Sequence, residues 1–342
     1  MRRGKQTLVD VEGEVRDWLE KARVSGNEDL VAEMLQTVLK LVTDGTSRGD
    51  LKVLNRTLKE LRYAFKIFAP FRNSRKASIF GSGRILDADP YYAMAREFAG
   101  KLAARGFLVI TGAGEGIMQA GNEGAGREKS FGVNIHLPFE QKPNRFIRRD
   151  AKLINFHFFF TRKLIFVKET DAVAIFPGGF GTHDEAIEIL TLMQTGKTQL
   201  IPMVLLDFPE SDYWKEWHRF VRTQMLAREY ISEKDLSLFK ILNDTEAAVQ
   251  EICSFYRNFH SYRFVNRNLV IRIVNPPTAG LLEHLNEEFK DVLYGGAVTE
   301  TAALPEEFNE PEALNFHRIL VPFDRRNYGR LRQMIDSINA EH

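Results

Sequence analysis

Ala172-Val173-Ala174-Ile175-Phe176 runs directly into Pro177-Gly178-Gly179-Phe180-Gly181-Thr182-His183-Asp184-Glu185, and Ala186-Ile187-Glu188-Ile189-Leu190 follows. A short apolar run, a glycine-rich break and a helical pattern read as strand, turn and helix. Gly178, Gly179 and Gly181 let the backbone turn sharply and approach a ligand with no Cβ in the way. The first amides of the new helix then face outward with partial positive charge, which suits an anion such as phosphate. Glu185 does not fit a simple phosphate cradle. A carboxylate one turn into such a helix points to chemistry.

Working outward, the same alternation recurs. Ala77-Ser78-Ile79-Phe80 reads as a strand ending in Gly81-Ser82-Gly83, with a helix over 90–104. Phe107-Leu108-Val109-Ile110 reads as a strand ending in Thr111-Gly112-Ala113-Gly114-Glu115-Gly116, with a helix through 125. Strands at 132–135 and 201–206 and helices around 157–169 and 213–227 complete the series. Strands alternating with helices predict an α/β protein with a doubly wound, mostly parallel, Rossmann-like sheet. Ligands in such sheets bind beyond the carboxyl ends of the strands, and all three glycine turns fall there.

The flanks read differently. Val11, Val15, Trp18 and Leu19, then Leu30, Met34, Val38 and Leu41, recur at helical spacing, and a third helix spans about 50–68. Beyond about 262, a strand at 269–274, a helix at 280–293, an extended stretch at 297–304, a strand at 319–321 and a helix at 328–338 predict a small α+β appendage. The expected division is an N-terminal helical segment over 1–74, a nucleotide-binding domain over 75–260 and a C-terminal domain over 261–342.

Composition narrows the function. A formal net charge of +1 gives no broad electrostatic case for a nucleic-acid polymer or an anionic membrane. The single Cys253 leaves no internal disulfide and no cysteine-based zinc site, and fits a cytoplasmic setting. No apolar run approaches a membrane span of about 20 residues. His157 and His183 do not sit at zinc spacing with another ligand, so neither a metal nor another cofactor is expected. The turn at 112–116 is similar to a dinucleotide fingerprint, but Gly132-Val133-Asn134-Ile135-His136 lacks the acid that would take the ribose hydroxyls. A nucleoside monophosphate, with several turns sharing one phosphate and one sugar, is favoured. In Phe158-Phe159-Phe160-Thr161-Arg162-Lys163, the aromatic run reads as a buried helix face, and Arg162 is a planar cation suited to phosphate or paired hydroxyls.

Together these residues resemble a known family. Residues 177–185 match the Pro-Gly-Gly-x-Gly-Thr-x-x-Glu motif of the LOG ("lonely guy") family, whose members were long labelled lysine decarboxylases and which is similar to larger bacterial nucleotide 5′-monophosphate nucleosidases. Its second signature ends in Arg-Lys, matching Arg162-Lys163. The spacing between its catalytic Arg and Glu also fits, at 185 − 162 = 23. Gly112 to Met118 looks like the family's glycine turn, and Gly81-Ser82-Gly83 like its first-strand turn. The resemblance covers about 75–260. Phe159-Phe160-Thr161 replaces the Met-His-x of short members, and His183 stands where Leu is common.

The resemblance implies hydrolysis of the N-glycosidic bond of a nucleoside 5′-monophosphate, AMP-like or a cytokinin riboside monophosphate, to free base and ribose 5-phosphate. Glu185 and Arg162 are then the catalytic pair: Glu185 stabilises the oxocarbenium-like sugar or activates water, and Arg162 positions substrate and balances charge. The amides of Gly179, Gly181 and Thr182 would hold the phosphate. Gly81, Ser82, Gly83, Gly112, Gly114, Glu115, Gly116, Met118, Asn122, Glu140, Lys163, Pro177, Gly178, Phe180, His183, Asp184 and Thr191 complete the implied substrate site. A homodimer or higher homo-oligomer is implied as well. The competing readings are a non-catalytic nucleotide sensor on the same fold and a pyridoxal-phosphate decarboxylase, which would need a Schiff-base lysine in a setting no lysine here has.

Overall fold

The computed structural model describes residues 17, 26–137 and 142–341. The chain divides into two compact units, Met1–Lys59 and Glu60–His342. In the first, helix α1 spans Glu28–Thr43, and α2, Arg48–Phe68, begins there. The helix expected around residues 11–19 lies outside the described residues, apart from residue 17.

The second unit is built on a seven-stranded sheet of β1 (Lys76–Phe80), β2 (Leu108–Thr111), β3 (Ser130–Ile135), β4 (Leu153–Phe156), β5 (Ala172–Ile175), β6 (Met203–Leu206) and β7 (Lys240–Leu242). Every pairing is parallel. Helices α3 (Pro90–Ala104), α4 (Ile117–Ala125), α5 (Phe159–Glu169), α6 (Phe180–Gln194), α7 (Tyr213–Phe220) and α8 (Thr245–Phe255) connect and cover it. All residues of β1, β2, β3, β5 and β6 are buried, which explains their unbroken apolar runs: both faces of the sheet are covered. Successive side chains point to opposite faces. Val173 and Ile175 join Phe131, Phe156 and Phe166 in one core, while Ala172 and Ala174 join Phe98, Leu102 and Ile252 in the other.

The strand order β4-β3-β2-β1-β5-β6-β7 places the site. The chain lays β2, β3 and β4 outward on one side of β1, then returns to β5 on the other side and continues to β7. The topological switch point therefore lies between β1 and β5, where open α/β sheets form their ligand crevice. The register runs from Ala77 opposite Ala172 to Phe80 opposite Ile175, so the loops after the two strands emerge side by side.

A four-stranded antiparallel sheet follows, ordered β10 (Thr299–Thr301), β11 (His317–Val321), β9 (Asn268–Ile273) and β8 (Phe259–Val265). Helices α9 (Ala279–Glu288) and α10 (Tyr328–Ala340) accompany it, and its apolar residues are continuous with the first core through Phe255, Phe259 and Ile335. The architecture is thus α/β and Rossmann-like, with a small α+β sheet near the C-terminus. Strands β4, β7 and β8 and helix α8 had no sequence expectation. The helix expected over 213–227 is α-helical to Phe220 and π-helical over Val221–Leu226.

Candidate active site

The loops after β1, β2 and β5 and the first turns of α5 and α6 enclose a cavity of about 810 Å³, within the usual size of a small-molecule site of about 300–1,000 Å³. The loops are tied to each other by backbone bonds. The Ser82 amide donates to the Pro177 carbonyl (3.0 Å), and the Ile117 amide donates to the Ser82 carbonyl (3.1 Å). Gly81, Ser82, Gly83, Gly112, Met118, Arg162, Gly178, Gly179, Phe180, Gly181, Thr182, His183, Asp184 and Glu185 all line the cavity.

Its glycines differ in what they serve. Gly116 has φ +63°, and a Cβ there would meet the Ser82 carbonyl oxygen at 2.4 Å, so only glycine lets the second loop pass under the first. A Cβ on Gly178 would fall 2.1 Å from Thr182 Oγ1 and 2.9 Å from the Ser82 amide nitrogen. One on Gly112 would fall 2.7 Å from Met118 Sδ and 2.8 Å from an Arg162 Nη. Gly116 and Gly178 are demanded by the backbone beside them, whereas the atoms crowding Gly112 are the ends of flexible side chains. Gly179 and Gly181, by contrast, have no atom within 4 Å of where a Cβ would be. Gly179 caps α6 without a side chain, so the Phe180 and Gly181 amides are left for an outside acceptor, whereas the Thr182 amide, expected to hold phosphate, already donates to the Gly179 carbonyl (3.0 Å).

Arg162 and Glu185 enter the cavity from α5 and α6. Arg162 packs over the Phe166 ring (5.3 Å to the centroid), and its Nε is buried with no hydrogen-bond partner among the described residues. Burial draws its guanidinium pKa down, and Glu185 acts in the opposite sense. Glu185 is only 6% exposed. Burial pushes its carboxyl up to about 6; Arg162 and then Lys163 hold it from rising further. A buried carboxyl poised near neutrality facing an undersatisfied arginine is the arrangement that active sites maintain and ordinary cores avoid. Lys163 takes the ion pairs from α5 across to α6, to Asp184 (2.9 Å) and Glu188 (2.7 Å).

Sequence reasoning did not find Tyr213, from α7. Its hydroxyl donates to the Gly178 carbonyl and receives the Gly178 amide (3.3 Å). It also lies 2.7 Å from His183 Nε2. A tyrosine has one proton to give, so Nε2 of His183 carries the hydrogen of that bond. Burial lowers the His183 pKa, in keeping with a neutral ring. Arg84, Phe80, Ile135, Leu137 and Phe159 also line the cavity without having been named as site residues.

The remaining named residues lie elsewhere. Pro177 serves the loop tie already described. The Gly114 carbonyl accepts from Asn144 Nδ2 (3.0 Å). Asn122 is fully buried beneath the 112–116 turn, bonded to Thr111 (2.8 Å) and Asn144 (3.0 Å). Glu115 is exposed in that turn, away from the cavity lining. Thr191 is exposed on α6, its hydroxyl donating to the Ile187 carbonyl (2.7 Å). Glu140 lies outside the described residues. Among the described residues, no group of three His, Cys, Asp or Glu is placed to hold a metal ion.

The glycine turns gather at the switch point of a parallel sheet, the place where open α/β proteins form a ligand crevice. Residues 113–252 match the family described as "Possible lysine decarboxylase", a label that the motif resemblance also carries. Among solved structures, it is similar to TM1055, a structural-genomics target (19% identity, 52% of this chain and 96% of that one, TM-score 0.39). It is also similar to the molybdenum cofactor binding protein from the phototrophic bacterium Rippkaea orientalis (18% identity, 53% and 96%, TM-score 0.39). DNA processing protein A from Helicobacter pylori is a third (15% identity, 53% and 81%, TM-score 0.37). These are likenesses of fold over about half of this chain, and the ligands in those names belong to those proteins. No curated protein matches the chain.

Proposed function

We propose that the chain hydrolyses the N-glycosidic bond of a nucleoside 5′-monophosphate, AMP-like or N6-modified, to a free base and ribose 5-phosphate. The observation that carries the reading is Glu185: a buried carboxyl raised to about 6, lining the same cavity as Arg162 and the amide seat at Gly179–Gly181. The seat takes the 5′-phosphate, which leaves the sugar within reach of α5 and α6. As the C1′–N bond lengthens, positive charge grows on the sugar, and ionised Glu185 opposes it. Water adds its oxygen to C1′ and gives up a proton to the carboxylate, the C1′–N bond breaks, and that proton passes on to the departing base, which returns Glu185 to its ionised form. Arg162 stays protonated and serves as an electrostatic and positioning group.

A homodimer and a cytoplasmic setting belong to the same proposal. On α5 and α6, Phe159 (53% exposed), Phe160 (53%), Leu164 (48%) and Ile187 (42%) form an apolar surface suited to a second copy. No described helix is long and apolar enough to cross a membrane. A lysine decarboxylase reading gains no support, because Lys163 is held by two carboxylates.

The test incubates the protein with AMP, CMP, GMP and N6-isopentenyl AMP and measures free base. Release from at least one, abolished by Glu185→Gln with nucleotide binding retained, is expected. Binding without base release from any of the four overturns hydrolysis in favour of a nucleotide sensor.

A further inference from the structure

Helix α5, which carries Arg162, begins without a cap of its own. Phe158 stands at the N-cap position and offers no side-chain acceptor. Helix starts normally have their free donors taken by Ser, Thr, Asp or Asn at that position. Here a carboxylate from an earlier helix holds the residues on either side of the N-cap instead, without taking the amides of the first turn. Glu60, on α2, accepts the His157 amide through Oε1 (2.9 Å) and the Thr161 hydroxyl through Oε2 (2.6 Å). His157 Nδ1 lies 3.3 Å from the same Oε1. The Thr161 hydroxyl is also 3.0 Å from the Phe158 carbonyl oxygen, so one short network encircles the first turn.

Glu60 is only 6% exposed. Desolvating a carboxylate costs several kcal/mol, and an apolar side chain could pack two helices together without that cost. What the carboxylate adds is direction. Two oxygens grip two points of the turn that immediately precedes Arg162, fixing both the rotation of α5 about its axis and its position along it. Arg162 needs such a fix: its Nε is unpartnered and its guanidinium fits a gap that exists because residue 112 is glycine.

We propose that Glu60 is a positioning residue for Arg162, acting through the His157 amide and the Thr161 hydroxyl at the start of α5. For its effect on catalysis, the inference rests on the proposed hydrolase reading. Glu60→Ala should lower kcat/KM for base release by about 30–100-fold, the scale of an ångström-size misplacement. In an Arg162→Ala background it should cause little further loss, whereas a merely structural role would reduce activity by the same factor in both. Glu60→Gln retains an acceptor for the His157 amide and a donor for the Thr161 hydroxyl, and should recover most of the loss. If Glu60→Ala does not fold, Thr161→Val removes one of the two grips and should show a smaller, equally Arg162-dependent defect.

A second measurement is independent of turnover. The Nε–H resonance of Arg162, identified by its absence in Arg162→Lys, should shift or broaden in Glu60→Ala or Thr161→Val and stay in place in Glu60→Gln. An unchanged resonance, or losses that simply multiply with that of Arg162→Ala, overturns the proposal. A displaced resonance in a protein that cleaves none of the nucleotides upholds the positioning role and rejects the hydrolase reading alone.

Discussion

Glu185→Gln should make the protein inactive and more stable at once, and the size of the gain follows from the site. The carboxyl titrates near 6 in the folded protein against an ordinary 4.5, with burial as the main cause and the opposing pull of Arg162 and Lys163 already included. A folded pKa above the unfolded one means that the neutral form favours folding. That contribution is complete below about pH 4.5 and is lost as the pH rises through about 6. A shift of about 1.5 pKa units corresponds to about 2 kcal/mol. The amide of Gln stands in for the neutral carboxyl, so at pH 8 the variant should be more stable by about 2 kcal/mol, or roughly 4 °C in Tm for a domain of this size. At pH 4.5 or below the two proteins should melt together. Calorimetry or urea unfolding at the two pH values measures this directly. Equal stability at pH 8, or a gain that does not vary with pH, would refute the claim that the site holds its carboxylate at an energetic cost.

Three further outcomes are expected. Base release should fall about tenfold per pH unit below pH 6 as Glu185 takes up its proton, read as kcat/KM against pH. Tyr213→Phe removes the hydroxyl shared by Gly178 and His183; it should destabilise the protein by about 1–3 kcal/mol in urea unfolding and raise KM, since buried polar partners are left unpaired. Gly178→Ala should lower Tm and expression through its clash with Thr182 and Ser82, whereas Gly179→Ala should leave Tm nearly unchanged and weaken AMP binding measured by calorimetry.

How much of this was legible in sequence depended on whether a feature was local. Strands β1, β2 and β5 are short apolar runs followed by glycine turns, and their position next to one another made the turns converge. Strand β4, Leu153-Ile154-Asn155-Phe156, is an edge strand with an exposed Asn155, and β7 is a three-residue edge strand beginning with an exposed Lys240. Edge strands need not be apolar on both faces, so they lack the signal of the central ones. Arg162 and Glu185 were readable because each sits beside a local motif. Tyr213 and Glu60 were not: each is joined to the site by a hydrogen bond spanning 30 or more residues, and no local pattern marks either. Gly114, in a glycine-rich turn, and Asn122, on the helix that follows it, were expected to contact the ligand, but their bonds support the turn from beneath.

The division among the glycines bears on how such a sequence can drift. Gly116 and Gly178 are constrained by neighbouring backbone, so a descendant that lost its ligand would still have to keep them in order to fold. Gly179 and Gly181 are free of that constraint and answer only to what occupies the cavity. Replacement at those two positions, with Gly116 and Gly178 retained, would therefore mark a chain that has kept the scaffold and abandoned the anion. A motif score that weighs all the glycines alike cannot register that difference.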